Sequence, residues 1–113
     1  MTGEIDPYCP YFTAAMETLS KRWAGPVLRA LVPGPMRFNA VASAIPSLTD
    51  STLSQRLKEF ESAGLIDRVV YSEHPVRVEY ALTDKGRALG EVLMQLNGWA
   101  LEWITLPDGT ASN

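Results

Sequence analysis

The sequence has few of the residues on which disulfide frameworks, metal sites and most catalytic sites depend. It contains one cysteine, Cys9, and one histidine, His74, among 113 residues. A single cysteine cannot close a disulfide within the chain, and one cysteine with one histidine cannot supply the usual ligands of a structural zinc site. We therefore predict no metal site and no cofactor, and any disulfide must join two molecules.

Long apolar runs and glycine-rich phosphate loops are also missing. No segment approaches the run of about 18 apolar residues that a membrane span requires. Residues 1–7 have neither the basic region nor the apolar stretch of a signal peptide. The sequence shows no Ser/His/Asp set and no metal-ligand spacing, and it has only one histidine. We predict a cytoplasmic protein that makes no membrane contact and is not an enzyme.

The chain is long enough for one globular domain with a modest core, since 46% of its residues are hydrophobic and 20% are charged. A net charge of -3 argues at first against a nucleic-acid partner. The charges are unevenly placed, however: residues 18–58 hold six bases and one acid, and the rest hold four bases and twelve acids. Screening over about 8 Å at physiological salt makes the local field the relevant one. The basic segment can face phosphates, or it can be ordinary surface charge.

Apolar spacing and turn residues predict three short helices in the first half of the chain. The first helix opens at Cys9-Pro10, because proline is tolerated in a first turn. A second helix follows Gly25-Pro26 and ends at residues 33–35. A third runs from Asn39, its predicted cap, to Ile45.

A fourth helix follows the polar turn at residues 46–51 and ends at Gly64. Leu53, Leu57 and Phe60 recur at helical spacing and form its core face. At 100° per residue, the opposite face holds short polar and basic side chains: Ser51, Gln55, Lys58 and Ser62.

Two β-rich stretches and a long helix complete the predicted fold. Residues 65–71 and 76–82 are rich in β-branched and aromatic side chains and flank a turn at residues 72–75, which predicts a hairpin. Thr83 caps a last helix from residue 84 to about 105, whose length of about 30 Å exceeds what so small a domain can cover. The order is that of a winged helix-turn-helix protein, mainly α with a β-hairpin wing (α+β) and a long C-terminal dimerisation helix. Residues 1–8 are predicted to be a flexible arm, 9–105 the domain and 106–113 a tail.

Several stretches of the chain follow a family pattern, in order and spacing: Cys9-Pro10, residues 21–25, 37–39, 53–58, 64–66 and 75–83, and Gly86. Together they resemble the HxlR family of bacterial transcriptional regulators, which are relatives of the MarR-type winged-helix proteins. The resemblance covers about residues 9–104. It implies a dimeric DNA-binding regulator, in which some members sense oxidants or electrophiles through a cysteine at the place of Cys9. The chain departs from the family pattern at Pro26 and at residues 41–44, which lack the usual charges.

The helix-turn-helix arrangement assigns DNA contacts to particular side chains. The second helix of the pair enters the major groove, where Gln pairs with adenine, Arg with guanine and the Thr methyl contacts thymine. The predicted recognition-helix contacts are Ser51, Thr52, Gln55, Arg56 and Lys58. The predicted backbone and wing contacts are Arg37, Asn39, His74 and Arg77. A solvated polar helix face is the alternative for the first set, and an ion pair with Glu73 or Glu79 is the alternative for Arg77.

Cys9 and an apolar stripe on the last helix are the other candidate sites. A thiol at a helix start is exposed to the helix dipole, which favours the reactive thiolate; a buried cysteine that acts as a small hydrophobe is the alternative. The predicted dimer interface consists of Tyr11, Phe12, Met16, Leu96, Trp99, Trp103 and Ile104. An aromatic-ligand pocket is the alternative for the tryptophans.

Together these features predict a homodimeric repressor that binds a pseudo-palindromic operator on double-stranded DNA and is switched by an oxidant or electrophile at Cys9. Two alternatives stay open. One is a regulator that senses a small aromatic effector between the dimer helix and the wing. The other is a winged-helix protein-interaction module that never binds DNA, which the acidic net charge suggests.

Overall fold

The structure, a computed structural model, describes residues 5–110 and contains five helices and one antiparallel hairpin. Residues 1–4 of the predicted arm and 111–113 of the predicted tail lie outside the described part. The fold is the mainly α, hairpin-bearing architecture that the sequence predicts. In chain order the elements are α1 (Pro10–Ser20), α2 (Ala24–Ala30), α3 (Phe38–Ala44), α4 (Asp50–Ser62), β1 (Ile66–Tyr71), β2 (Arg77–Leu82) and α5 (Asp84–Trp103).

Side-chain caps define the starts of three helices. The first N–H groups of a helix have no partner within it, and a capping side chain satisfies one of them. Cys9 Sγ accepts from the Phe12 N–H at 3.5 Å at the start of α1. Thr49 Oγ1 accepts from the Thr52 N–H at 3.3 Å at the start of α4. Thr83 Oγ1 accepts from the Gly86 N–H at 3.0 Å, which confirms the predicted cap of α5.

Two predicted helix starts are wrong. α2 begins at Ala24, so Gly25-Pro26 lies inside its first turn and not ahead of the helix. Proline is accommodated there because the first-turn N–H groups have no intrahelical partner. Arg37, not Asn39, occupies the N-cap position of α3, and it makes no side-chain cap bond.

A backbone bridge explains why α3 begins early. Met36 and Tyr80 exchange two hydrogen bonds, N–H to O at 3.0 Å and 2.8 Å, as an isolated antiparallel bridge beside the hairpin. This pairing holds the chain extended up to Arg37, whose φ is -77° and ψ is 158°. The chain turns helical at the next residue, and Asn39 therefore falls in the first turn.

The core centres on α2, which packs against α1, α3, α4 and α5. Leu53, Leu57 and Phe60 of α4 are all buried, as the sequence predicts. α1 contributes no buried residue. The other buried apolar residues are Ala24, Val27, Leu28, Leu31, Val41, Leu65, Ile66, Leu82 and Leu93.

The hairpin is anchored at its base and extends away from the core. β1 and β2 pair antiparallel from Ile66 opposite Leu82 to Tyr71 opposite Arg77. Ile66 and Leu82 are buried, whereas the turn at residues 72–76 is exposed. Gly86 of α5 lies so close to the Leu65 carbonyl that a Cβ there would overlap the oxygen.

The molecule is more extended than a compact monomer of its length. Its Cα radius of gyration is 16.3 Å, against about 13 Å for a compact chain of 113 residues. The longest principal extent is 57 Å. α5 has 20 residues, and only Gly86, Gly90 and Leu93 of them are buried. Most of this helix is therefore exposed in the single chain.

Candidate nucleic-acid interface

The exposed side of α4 is the candidate DNA-reading surface. Ser51, Gln55 and Lys58 are all exposed and recur at i, i+4 and i+7, so they lie along one face of the helix. We call these three residues the recognition face. Gln55 Nε2 makes one long contact with Glu59 Oε2 at 3.5 Å, which leaves most of its hydrogen-bonding capacity available. The face offers a hydroxyl, an amide and an ammonium group, which suit base edges and phosphates.

The structure does not bring Thr52 and Arg56 to the recognition face. Both lie on the neighbouring flank of α4, and both are partly buried. Thr49 Oγ1 donates to Thr52 Oγ1 at 3.0 Å, so the Thr52 hydroxyl takes part in the helix start. Arg56 is 12% exposed; its Nε donates to the Arg22 carbonyl at 2.9 Å and its Nη1 donates to Glu59.

Glu59 organises this flank and was not among the residues predicted from the sequence. Its carboxylate accepts from Arg56 and, at 3.2 Å, from Lys21 Nζ. The Arg56 guanidinium beside Glu59, with help from Lys21, holds the pKa of that carboxyl below its ordinary value of 4.5. The i, i+3 spacing from Arg56 is a sequence signal for this pair, but nothing in the sequence points to Lys21, 38 residues away.

The predicted phosphate contacts on α3 are open to solvent. Arg37 and Asn39 are both exposed at the start of that helix. Neither side chain forms a hydrogen bond or ion pair within residues 5–110. A guanidinium and an amide in this position are available to phosphate oxygens.

The wing arginine is engaged within the hairpin. Arg77 lies over the Tyr71 ring, with its Cζ 4.1 Å from the ring centre. Its Nη2 is 3.0 Å from Glu73 Oε1, and its Nε is 3.8 Å from Glu79 Oε2. This is the ion-paired arrangement that the sequence offered as the alternative for Arg77. His74, at the tip, is exposed.

Cys9 is exposed and carries a free thiol. Its Sγ lies at the first turn of α1, where it accepts the Phe12 N–H. The neighbouring Tyr8, Tyr11 and Phe12 are exposed too. The alternative of a buried cysteine that acts as a small hydrophobe is therefore wrong for the single chain.

Large apolar side chains cover the outer faces of α1 and α5. Tyr11 is 85% exposed and Trp103 is 68% exposed. On α5, Val92, Leu96, Trp99 and Trp103 recur at i, i+4, i+7 and i+11 and form one stripe. All seven residues of the predicted dimer interface are exposed: Tyr11, Phe12, Met16, Leu96, Trp99, Trp103 and Ile104. Contiguous exposed apolar surface of this kind marks interaction sites.

Within residues 5–110, none of the helices has the length and apolar character needed to cross a membrane.

Comparison with known proteins identifies relatives over most of the chain. The uncharacterised HTH-type transcriptional regulator YvaP of Bacillus subtilis is 47% identical over 96 residues, which cover 85% of this chain and 89% of YvaP. The HTH-type transcriptional regulator YodB of the same organism is 40% identical over 92 residues, which cover 81% of this chain and 82% of YodB.

Solved structures of related regulators share the fold. The reduced form of YodB superposes with a TM-score of 0.75 and 38% identity, covering 85% of this chain and 94% of that one. The redox regulator HypR in its oxidised form gives a TM-score of 0.75 and 33% identity, covering 81% and 94%. The family model described as HxlR-like helix-turn-helix matches residues 18–107. The chain therefore belongs to the HxlR-like helix-turn-helix family of transcriptional regulators, as the resemblance of its motifs predicts.

Proposed function

We propose that this transcriptional regulator is a homodimeric repressor that binds a pseudo-palindromic operator, and that covalent modification of Cys9 changes its affinity for that operator. The observation that carries the proposal is the position of Cys9. Its exposed thiol opens α1, a helix with no buried residue and an apolar outer face. A chemical change at Cys9 would therefore act on a helix whose packing depends on a partner.

The exposed apolar faces of α1 and α5 support the proposal of a homodimer. α1 has little burial of its own: none of its side chains is fully buried in the single chain, and Leu19 is its one apolar residue partly buried against the core. The α5 stripe leaves Trp99 55% exposed beside Leu96 and Trp103. Aromatic side chains of this size are characteristic of the core of protein interfaces. A second copy that covers both faces would bury them and fix the two α4 helices relative to each other.

The recognition face supports the proposal that the protein binds an operator. Two recognition helices about 34 Å apart read half-sites on the same side of the duplex. Ser51 and Gln55 would contact base edges, and Lys58, Arg37 and Asn39 would contact phosphates. Arg77 must leave Glu73 before it can reach the backbone as the predicted wing contact. Thr52 and Arg56 hold α4 in place, and we propose no base contact for Arg56 in this conformation.

Two reactions at Cys9 are chemically possible in a chain without a second cysteine. A quinone can react with the Cys9 thiolate by addition at a ring carbon. The S–C bond forms as a ring C=C π bond breaks, and the electron pair moves to a carbonyl oxygen. The thiol proton and the proton of the attacked ring carbon end on the two oxygens, so the product is a hydroquinone thioether and no external oxidant is needed. A disulfide-forming oxidant accepts two electrons and two protons from two thiols, either both Cys9 residues of a dimer or Cys9 and a small thiol. YodB has been solved in diamide-treated and quinone-bound forms, and both reactions are open to this chain.

The DNA side of the proposal is tested by salt-dependent binding to DNA from upstream of the protein's own gene. Lys58→Ala should weaken binding to all sequences and reduce the slope of log affinity against log salt by about 1 for each phosphate that the lysine neutralises. Gln55→Ala is the matched variant on the same face, and should relax base preference without changing that slope. A Lys58→Ala variant with an unchanged slope would contradict the phosphate assignment. Absence of specific binding would favour the protein-interaction alternative.

A further inference from the structure

We propose that the cavity between α2, α3 and α5 binds a small amphipathic carboxylate, with an apolar body inside the cavity and its carboxylate on Arg29. This site is distinct from Cys9 and from the predicted aromatic site between α5 and the wing. Binding of the carboxylate does not depend on the proposed function, whereas any effect of that binding on DNA affinity rests on it.

The cavity has the size and walls of a ligand pocket. Its volume is about 560 Å³, within the range of roughly 300–1,000 Å³ typical of small-molecule sites. The walls are mainly apolar, and among the lining residues that the structure describes only Arg29 and Asn97 have polar side chains. An apolar chain or ring would be removed from water against the larger wall residues, which are Pro26, Met36, Ile45, Leu93 and Leu96.

Arg29 supplies the positive charge that would pair with the ligand's carboxylate. Its Nε donates to Asn97 Oδ1 at 2.7 Å, and this bond joins α2 to α5 and orients the guanidinium. No Asp or Glu within residues 5–110 forms an ion pair with Arg29. The N–H groups on its two Nη atoms therefore remain for an incoming anion, and a carboxylate fits such a pair in a bidentate manner.

The apolar walls and the single guanidinium together specify the class of ligand. Arg29 is exposed at the mouth of the cavity, while the interior offers no second charged group. A ligand with several charges would leave some of them against apolar walls, where an unpaired charge is costly. A neutral apolar molecule would leave the oriented guanidinium unused. A monocarboxylate with an apolar chain or ring satisfies both ends.

The position of the cavity connects it to both predicted interfaces. Leu96 belongs to the cavity wall and to the apolar stripe of α5. Ala44 and Ile45, on the opposite wall, end the first helix of the helix-turn-helix pair. A ligand wedged between them would change the distance between the dimer helix and α3. If the proposed function holds, that change alters the spacing of the two recognition faces.

Calorimetric titration of the full-length protein with octanoate tests the site without DNA. We expect saturable binding of one octanoate per chain, with octan-1-ol and the Arg29→Gln variant each weaker by at least about tenfold, the usual effect of losing charge-assisted hydrogen bonds. Arg68→Gln, an exposed arginine on β1, is the matched control and should bind like the unmodified chain. Ala44→Phe adds a bulky ring to the cavity wall while keeping Arg29, and should weaken binding even if Arg29→Gln folds poorly.

The proposal is overturned if octanoate does not saturate, if octan-1-ol binds as tightly, or if Ala44→Phe binds normally. If octanoate binds, the titration with DNA is repeated with octanoate at saturation. Binding of octanoate without any change in DNA affinity would keep the site and reject its regulatory role. Failure of octanoate to bind, with DNA binding and the Cys9 response intact, would reject the site and leave the proposed function standing.

Discussion

The Arg56 Nε atom donates to the Arg22 carbonyl oxygen at 2.9 Å, and this bond ties the recognition helix to the segment between α1 and α2. A basic residue on a recognition helix is expected to read DNA, yet this one supports the scaffold. Its two partners, Arg22 and Glu59, place the guanidinium on the flank of α4. The position of α4 is thereby coupled to the end of the helix that begins at Cys9.

Arg56→Ala should lower the free energy of unfolding by about 1–3 kcal/mol, because it removes two hydrogen bonds from a partly buried group. Gln55→Ala, one position away and exposed, should change stability by no more than about 0.5 kcal/mol. Chemical denaturation of both variants measures the difference. An Arg56→Ala variant that keeps full stability and instead alters base preference would show that this side chain reads DNA.

The ion pairs of Glu59 predict a pH dependence. The pKa of Glu59 is lowered in the folded state, chiefly by Arg56, so the ionised carboxylate stabilises the fold above its ordinary pKa of 4.5. That contribution is lost as the pH falls from this value through the lower folded pKa. Glu59→Gln should therefore be less stable than the unmodified chain at pH 7, and the difference should close as the pH falls through the lowered pKa of the folded state. Thermal melts of both proteins from pH 7 to pH 3 measure this difference. A difference in melting temperature that stays constant over the range would contradict the role of Glu59.

Gly86 is predicted to be intolerant of any side chain. A Cβ there would overlap the Leu65 carbonyl oxygen, which is backbone and cannot rotate away. Gly86→Ala should destabilise the fold by about 1–3 kcal/mol despite the helical preference of alanine. Gly98→Ala, on the same helix with nothing within 4 Å, should be neutral or stabilising by up to about 1 kcal/mol. Equal effects of the two substitutions on the melting temperature would refute this packing.

The dimer is tested by placing a charge in the α5 stripe. Trp99→Glu should dissociate the homodimer, because it removes an aromatic side chain and buries an unpaired carboxylate in the interface. Met94→Glu is the control, since Met94 is exposed on another face of α5. Analytical ultracentrifugation distinguishes the monomer from the dimer. Retention of the dimer in Trp99→Glu would place the interface elsewhere.

The sequence predicts most of the fold because most of the element boundaries have a local cause. The caps Cys9, Thr49 and Thr83 lie at helix starts, and Gly64, with φ +75°, follows the end of α4. The start of α3 is mispredicted because the Met36 to Tyr80 bridge joins residues 44 positions apart, and local propensity contains no information about it.

The candidate site is less predictable than the fold, since its arrangement depends on long-range partners. Helical spacing correctly groups Ser51, Gln55 and Lys58 on one face. It cannot show that Arg56 turns toward Arg22, because that contact spans 34 residues. The bond between Arg29 and Asn97 spans 68 residues, and the cavity behind it has no signature in the sequence.

The most direct test of the account is the affinity of the purified protein for DNA from upstream of its own gene. It is measured at fixed salt before and after treatment with diamide or a quinone. The unmodified protein should bind saturably and lose affinity after treatment, and Cys9→Ser should bind equally well but not respond. A Cys9→Ser variant that responds like the unmodified protein, or an unmodified protein that does not respond, would contradict the proposed switch.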